Sequence, residues 1–161
     1  MIAISSVVFG EDVEREVLDT LRSGIVAQGP KVKRFEEQFA ELVGADHAIA
    51  VNNGTTALGA ALEIQDLKPG DEVLTSPFTF VATLNAILDA GAIVRFADIS
   101  ASDFNIDPVD AASRISDRTS VLMPVHLYGQ SADMAGLGDL ARQHGLAIVE
   151  DAAQAHGATF D

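Results

Sequence analysis

The chain has 161 residues, 48% of them hydrophobic and 21% charged, with no low-complexity tract; that is about one domain of ordinary folding sequence, and it excludes a disordered or fibrous protein. Its 24 Asp and Glu against 10 Lys and Arg leave a formal charge of −14, which repels phosphate backbones and anionic headgroups, so neither a nucleic-acid polymer nor a membrane is expected as partner. Without cysteine there is no disulfide framework or thiolate metal chemistry, and with no apolar run of membrane-spanning length and no basic start in residues 1–10, a cytoplasmic location is expected.

In chain order, Val13, Val17, Leu18 and Leu21 fall on one face of a 3.6-residue repeat. Glu11, Asp12 and Glu14 sit where a helix start favours anions, and Gly24 ends the segment. A turn through Gln28, Gly29 and Pro30 leads into a second amphipathic helix carrying Val32, Phe35, Phe39, Leu42 and Val43, stopped by Gly44. Short apolar runs at 48–51, 72–74, 93–96, 120–125 and 146–149 read as strands. Between them, helices are expected to start near Thr55, Phe80, Pro108 and Asp133, with Asp107 and Pro108 forming an N-cap and first-turn pair. This alternation predicts an α/β fold: a mainly parallel sheet flanked by helices, with no second domain and with ligands at the strand ends.

Three segments have the residue types for a binding site. In Val51-Asn52-Asn53-Gly54-Thr55-Thr56-Ala57-Leu58 a strand is expected to pass directly into a helix. Gly54 admits close backbone approach, and the first-turn N–H groups with the Thr55 and Thr56 hydroxyls would cradle a phosphate. The same letters also describe a structural helix capped by Asn53 or Thr55, and no P-loop lysine follows. In the second segment, a buried strand ends in Glu150-Asp151, of which only one carboxylate has room to face inward. Asp151 is the candidate, either as partner of a protonated heterocyclic nitrogen or as a cap for the next turn. The third segment, around Phe78 and Phe80, offers a ring for stacking on a planar ligand or two core aromatics.

The four histidines are not spaced as metal ligands, and neither a His-Glu-x-x-His helix nor a Gly-x-Ser-x-Gly elbow occurs, so no metal site is expected. His126 would line the crevice or serve as a hydrogen-bonded scaffold residue. Gly136-Leu137-Gly138-Asp139-Leu140-Ala141 fits a dinucleotide fingerprint by letter, but Met134, Leu137, Leu140 and Ala141 have helical spacing where that fingerprint needs a strand-to-helix turn.

Taken together, these modules resemble the nucleotide-sugar aminotransferases of the DegT/StrS family, pyridoxal 5'-phosphate proteins of the aspartate aminotransferase fold type I. The resemblance spans essentially the whole chain. It rests on Leu21-Arg22-Ser23-Gly24, Gln28-Gly29-Pro30-Lys31-Val32, Asn53-Gly54-Thr55-Thr56-Ala57-Leu58, Pro124-Val125-His126-Leu127-Tyr128-Gly129 and Glu150-Asp151-Ala152-Ala153-Gln154-Ala155-His156-Gly157. It implies that residues 1–161 form the N-terminal part of the cofactor-binding large domain, without the small C-terminal domain. It also implies transfer of an amino group from glutamate to a keto-sugar nucleotide in a homodimer.

The implied roles are residue by residue. Gly54, Thr55 and Thr56 would hold the cofactor phosphate, and Phe80 would stack on the pyridine ring. Asp151 would act catalytically by keeping the ring nitrogen protonated, and Gln154 would touch the phenolic oxygen. The family's Schiff-base lysine has no counterpart here, since Lys31 and Lys33 open the second helix, Lys68 lies in a Lys-Pro-Gly turn, and all three read as solvated charges. This implies that the chain alone is inactive. Two alternatives are a non-catalytic fold unit that self-associates or joins a partner chain, and a nicotinamide-binding module resting on Gly136 and Gly138.

Overall fold

Two amphipathic helices, α1 (Glu11–Ser23) and α2 (Pro30–Val43), open the chain in a computed structural model that describes residues 6–160. The reading of residues 1–10 for leader character therefore lies partly outside the described residues. Both helices stop at glycines in the left-handed region, Gly24 at φ 72° and Gly44 at φ 67°, where a side chain would clash with the backbone. Lys31 Nζ meets the Glu16 carboxylate at 2.5 Å and its backbone carbonyl at 2.9 Å, and Arg34 donates to the same carboxylate at 3.1 Å. Lys31 is thus half-buried and paired rather than a freely solvated charge. These partners, the Lys31 hydrogen bond foremost, hold the Glu16 carboxyl below the ordinary glutamate range.

The chain divides at Ala50 into two units, and the first has a single buried residue, Ala40, among those described. The strand expected at 48–51 does not form. A strand needs a neighbour to take its backbone groups, whereas here the Ala50 N–H donates to Glu36 Oε1 at 2.8 Å and Ile49 is exposed.

The second unit begins with α3 (Gly54–Glu63) and continues as β1 (Glu72–Thr75), α4 (Val81–Asp89), β2 (Ile93–Phe96), α5 (Pro108–Arg114), β3 (Thr119–Leu122), α6 (Met134–His144) and β4 (Ala147–Ile148). The four strands pair in parallel in the order β2-β1-β3-β4. Alternate strand residues feed opposite faces. Val73, Val121 and Val149 pack with Leu58 and Leu62 of α3 and with Ala86 and Ile87 of α4. Leu74 and Leu122 pack with Ala111 of α5 and with Leu137 and Ala141 of α6. The expected helix-flanked parallel sheet is therefore present.

Two strands are shorter than expected. Pro124 has no N–H to continue the ladder of β3, which ends at Leu122; beyond it Val125 makes only an isolated parallel bridge to Asp151. The helix starts at Pro108 and Asp133 hold, with Asp107 accepting from the Val109 N–H and Asp133 from the Gly136 N–H. Gly136 and Gly138 lie inside α6, so they form no strand-to-helix turn. A Cβ at Gly136 would come within 3.1 Å of Pro108, which makes this glycine a packing contact rather than a phosphate contact. Among the described residues, no helix is long and apolar enough to cross a membrane.

Candidate active site

Parallel strands point their carboxyl ends the same way, and the chain reverses its direction of travel across the sheet between β1 and β3, leaving a crevice there. A cavity of about 290 Å³ occupies this end, lined by Asn53, Gly54, Thr55, Leu58, Phe80, Ala82, Val125, Asp151, Ala153 and Gln154. Its size is at the lower end for small-molecule sites and suits a ligand built on one ring. The structure thus brings Gly54, Thr55, Phe80, Asp151 and Gln154 together from three segments distant in sequence.

At one wall is the start of α3. Asn53 Oδ1 accepts from the Thr56 N–H at 2.9 Å and from the Thr56 hydroxyl at 3.2 Å, so the capping alternative holds for Asn53. The cap does not use up the helix start, because the Gly54 and Thr55 N–H groups make no hydrogen bond among the described residues. Thr56 does not line the cavity; with its hydroxyl on Asn53, it borders a separate groove between α3 and α4. Gly54 is not demanded by the protein, since its φ is not left-handed and an added Cβ would meet nothing within 4 Å. A methyl group there would stand in open space beside a helix start that lines the cavity.

Across the cavity, Asp151 is buried and Glu150 is half-exposed. Asp151 Oδ2 accepts from the Thr83 hydroxyl at 2.7 Å, and Oδ1 accepts from the Ala153 N–H at 3.2 Å. The turn-capping geometry expected of Asp151 is therefore realised, and its second oxygen is held by α4. No Lys, Arg or His forms an ion pair with Asp151 among the described residues. A carboxylate buried with neutral donors only, each oxygen keeping a lone pair, fits a cationic N–H partner.

His126 fixes this corner from outside the cavity. Its backbone N–H donates to the Asp151 carbonyl at 3.0 Å, its Nδ1 accepts from the Ala132 N–H at 3.1 Å, and its Nε2 therefore carries the proton it shares with Glu150 at 2.8 Å. That hydrogen bond is the main cause holding the Glu150 carboxyl below the ordinary glutamate range. The scaffold reading of His126 is the one realised.

Gln154 Oε1 accepts from the Tyr128 N–H at 2.8 Å, which fixes the amide orientation and leaves its NH₂ for a ligand oxygen. The two aromatics separate. Phe80 caps α4, lines the cavity and is 68% exposed, so its ring face is available. Phe78 lies against Phe104 and Tyr128, at centroid distances of 6.2 and 6.4 Å, in a partly exposed cluster rather than a core. Thr83 is the supporting residue that the sequence reading missed; its signal is a hydroxyl on the buried face of an otherwise apolar helix.

The chain spans about two-fifths of the length of the curated relatives it matches. The model of the DegT/DnrJ/EryC1/StrS aminotransferase family matches residues 8–161. The spore coat polysaccharide biosynthesis protein SpsC of Bacillus subtilis (strain 168) is 48% identical over 94% of this chain and 39% of that protein. The GDP-perosamine synthase of Caulobacter vibrioides is 42% identical over 92% of this chain and 40% of that protein. Among solved structures, NtdA from Bacillus subtilis with bound cofactor PMP superposes with a TM-score of 0.88 at 34% identity, over 92% of this chain and 34% of that one.

Proposed function

The chain belongs to the DegT/DnrJ/EryC1/StrS aminotransferase family, and from that premise we propose that it is the N-terminal part of the cofactor-binding large domain of a pyridoxal-phosphate aminotransferase. The enzyme would transfer an amino group from glutamate to a keto-sugar nucleotide, as a homodimer in the cytoplasm. The observation that carries the reading is one cavity with an uncommitted helix start on one wall and a buried carboxylate lacking a counter-charge on the other.

When bound, the cofactor supplies an electron sink for the carbanion at the amino-donor carbon. The Gly54 and Thr55 N–H groups and the Thr55 hydroxyl would bind its phosphate, while Thr56 builds the helix start through Asn53. Asp151 would hold the proton on the ring nitrogen, Phe80 would stack on the ring, and the Gln154 NH₂ would donate to the phenolic oxygen. Within the second unit Lys68 does not line the cavity and pairs with Asp66, while in the first unit Lys31 pairs with Glu16 and Lys33 with Glu37. The residues lining the cavity would thus hold the cofactor without supplying the amine that would link to it.

Equilibrium dialysis of the 161-residue chain against pyridoxal phosphate tests this. The chain should bind the cofactor, Asp151→Asn should bind it about tenfold or more weakly, and borohydride should leave no pyridoxyl group on Lys31, Lys33 or Lys68. Unchanged affinity in the Asp151 variant would remove its assignment, and a mapped lysine adduct would overturn the non-covalent grip.

A further inference from the structure

Thr83 is fully buried on α4, a helix whose other buried residues are Ala82, Ala86 and Ile87. A hydroxyl in such a place carries a desolvation cost that Val, of the same shape, would avoid. Helical threonines commonly satisfy themselves on the carbonyl one turn back. Thr83 instead donates to Asp151 Oδ2 at 2.7 Å, across 68 positions of sequence. Behind it, Thr79 Oγ1 lies 2.8 Å from Thr83 Oγ1.

We propose that Thr83, backed by Thr79, is a positioning residue that sets the Asp151 carboxylate to receive the ring N–H of pyridoxal phosphate; this rests on the cofactor reading above. A hydroxyl has one proton to give. Since an ionised carboxylate only accepts, the Thr83 proton goes to Asp151 and the Thr79 proton goes to Thr83. The two hydroxyls form an ordered line whose positive ends point at the carboxylate. Thr83 on Oδ2 and the Ala153 N–H on Oδ1 together stop rotation of the carboxylate plane. One acceptor position per oxygen is filled, and those remaining serve a cationic donor. The helix that carries Thr83 is packed into the core through Ala86 and Ile87, so the carboxylate is positioned from a rigid element.

The test compares Thr83→Val and Thr83→Ser with the parent chain, using pyridoxal phosphate and its 1-deaza analogue, in which carbon replaces the ring nitrogen. Thr83→Val should bind pyridoxal phosphate about tenfold more weakly. Thr83→Ser should restore affinity to within about twofold, and all three chains should bind the deaza analogue alike. In an Asp151→Asn background, Thr83→Val should cost nothing further. In the ligand-free chain, the ¹³C resonance of the Asp151 carboxyl should move in Thr83→Val and stay in Thr83→Ser.

Equal losses for both ligands would reduce Thr83 to a packing residue and overturn the proposal, as would parent-like binding by Thr83→Val. An unmoved carboxyl resonance would overturn the hydrogen bond itself. A parent chain that binds neither ligand defeats the cofactor reading and this proposal together, whereas a parent that binds pyridoxal phosphate with Thr83→Val unaffected defeats this proposal alone.

Discussion

Gly54 shows how a single position separates what a fold needs from what a site needs. Neither its φ nor its neighbours require glycine, and alanine is the better helix residue by up to about 1 kcal/mol. Gly54→Ala should therefore melt at the same temperature or slightly higher while binding pyridoxal phosphate about tenfold more weakly, because a methyl group at the helix start would hinder close approach of a phosphate to its N–H groups. Thermal melts and dialysis on the same sample read both effects. A variant that loses stability would show the glycine to be architectural.

Among the elements, β1 has a buried charge at its start. Glu72 accepts from the Ser116 hydroxyl at 2.7 Å and from Arg118 at 2.6 and 3.1 Å, with Arg95 Nη1 at 3.9 Å, which links β1 to β2 and to the entry of β3. Hydrogen bonding by Ser116, then by Arg118, holds its carboxyl below the ordinary glutamate value of about 4.5. A lowered folded value contributes stability that is fully present above the unfolded value and is lost as pH falls through the folded one. Glu72→Gln should thus be less stable by roughly 1–3 kcal/mol at pH 7, with the gap narrowing below about pH 4.5 in denaturant melts run across pH.

Elements were legible in the sequence where local chemistry decides them. Gly24 and Gly44 mark helix ends by their backbone freedom, and Asp107 with Pro108 marks a helix start. The apolar run at 48–51 misled because a strand exists only through a neighbour, and here a glutamate side chain took the backbone donor. Five of the residues named by motif resemblance, Gly54, Thr55, Phe80, Asp151 and Gln154, line one cavity. Thr83 was not legible, because its meaning lies in a contact that only the folded sheet creates.

Across the whole molecule, burial is uneven. The second unit holds two core clusters on opposite sheet faces, whereas α1 buries no side chain. Hydrogen exchange should follow this division: amides of β1 and β3 should be protected close to the global unfolding free energy, and those of α1 should exchange through local opening at far lower cost. Mass-spectrometric exchange at peptide resolution would show it, and comparable protection in α1 would contradict it.

The parallel sheet is also polarised in a way its topology alone does not dictate. At the rim where strands begin, an acidic group shut away from water is met by guanidinium and hydroxyl donors, so it rivets strands. At the rim where strands finish, another acid, equally hidden, has only uncharged company. Among the described residues, the buried acid without a charged neighbour thus stands at the finishing rim, and a mutation that delivered a cation there is expected to close that rim to a positively charged guest while leaving the architecture standing.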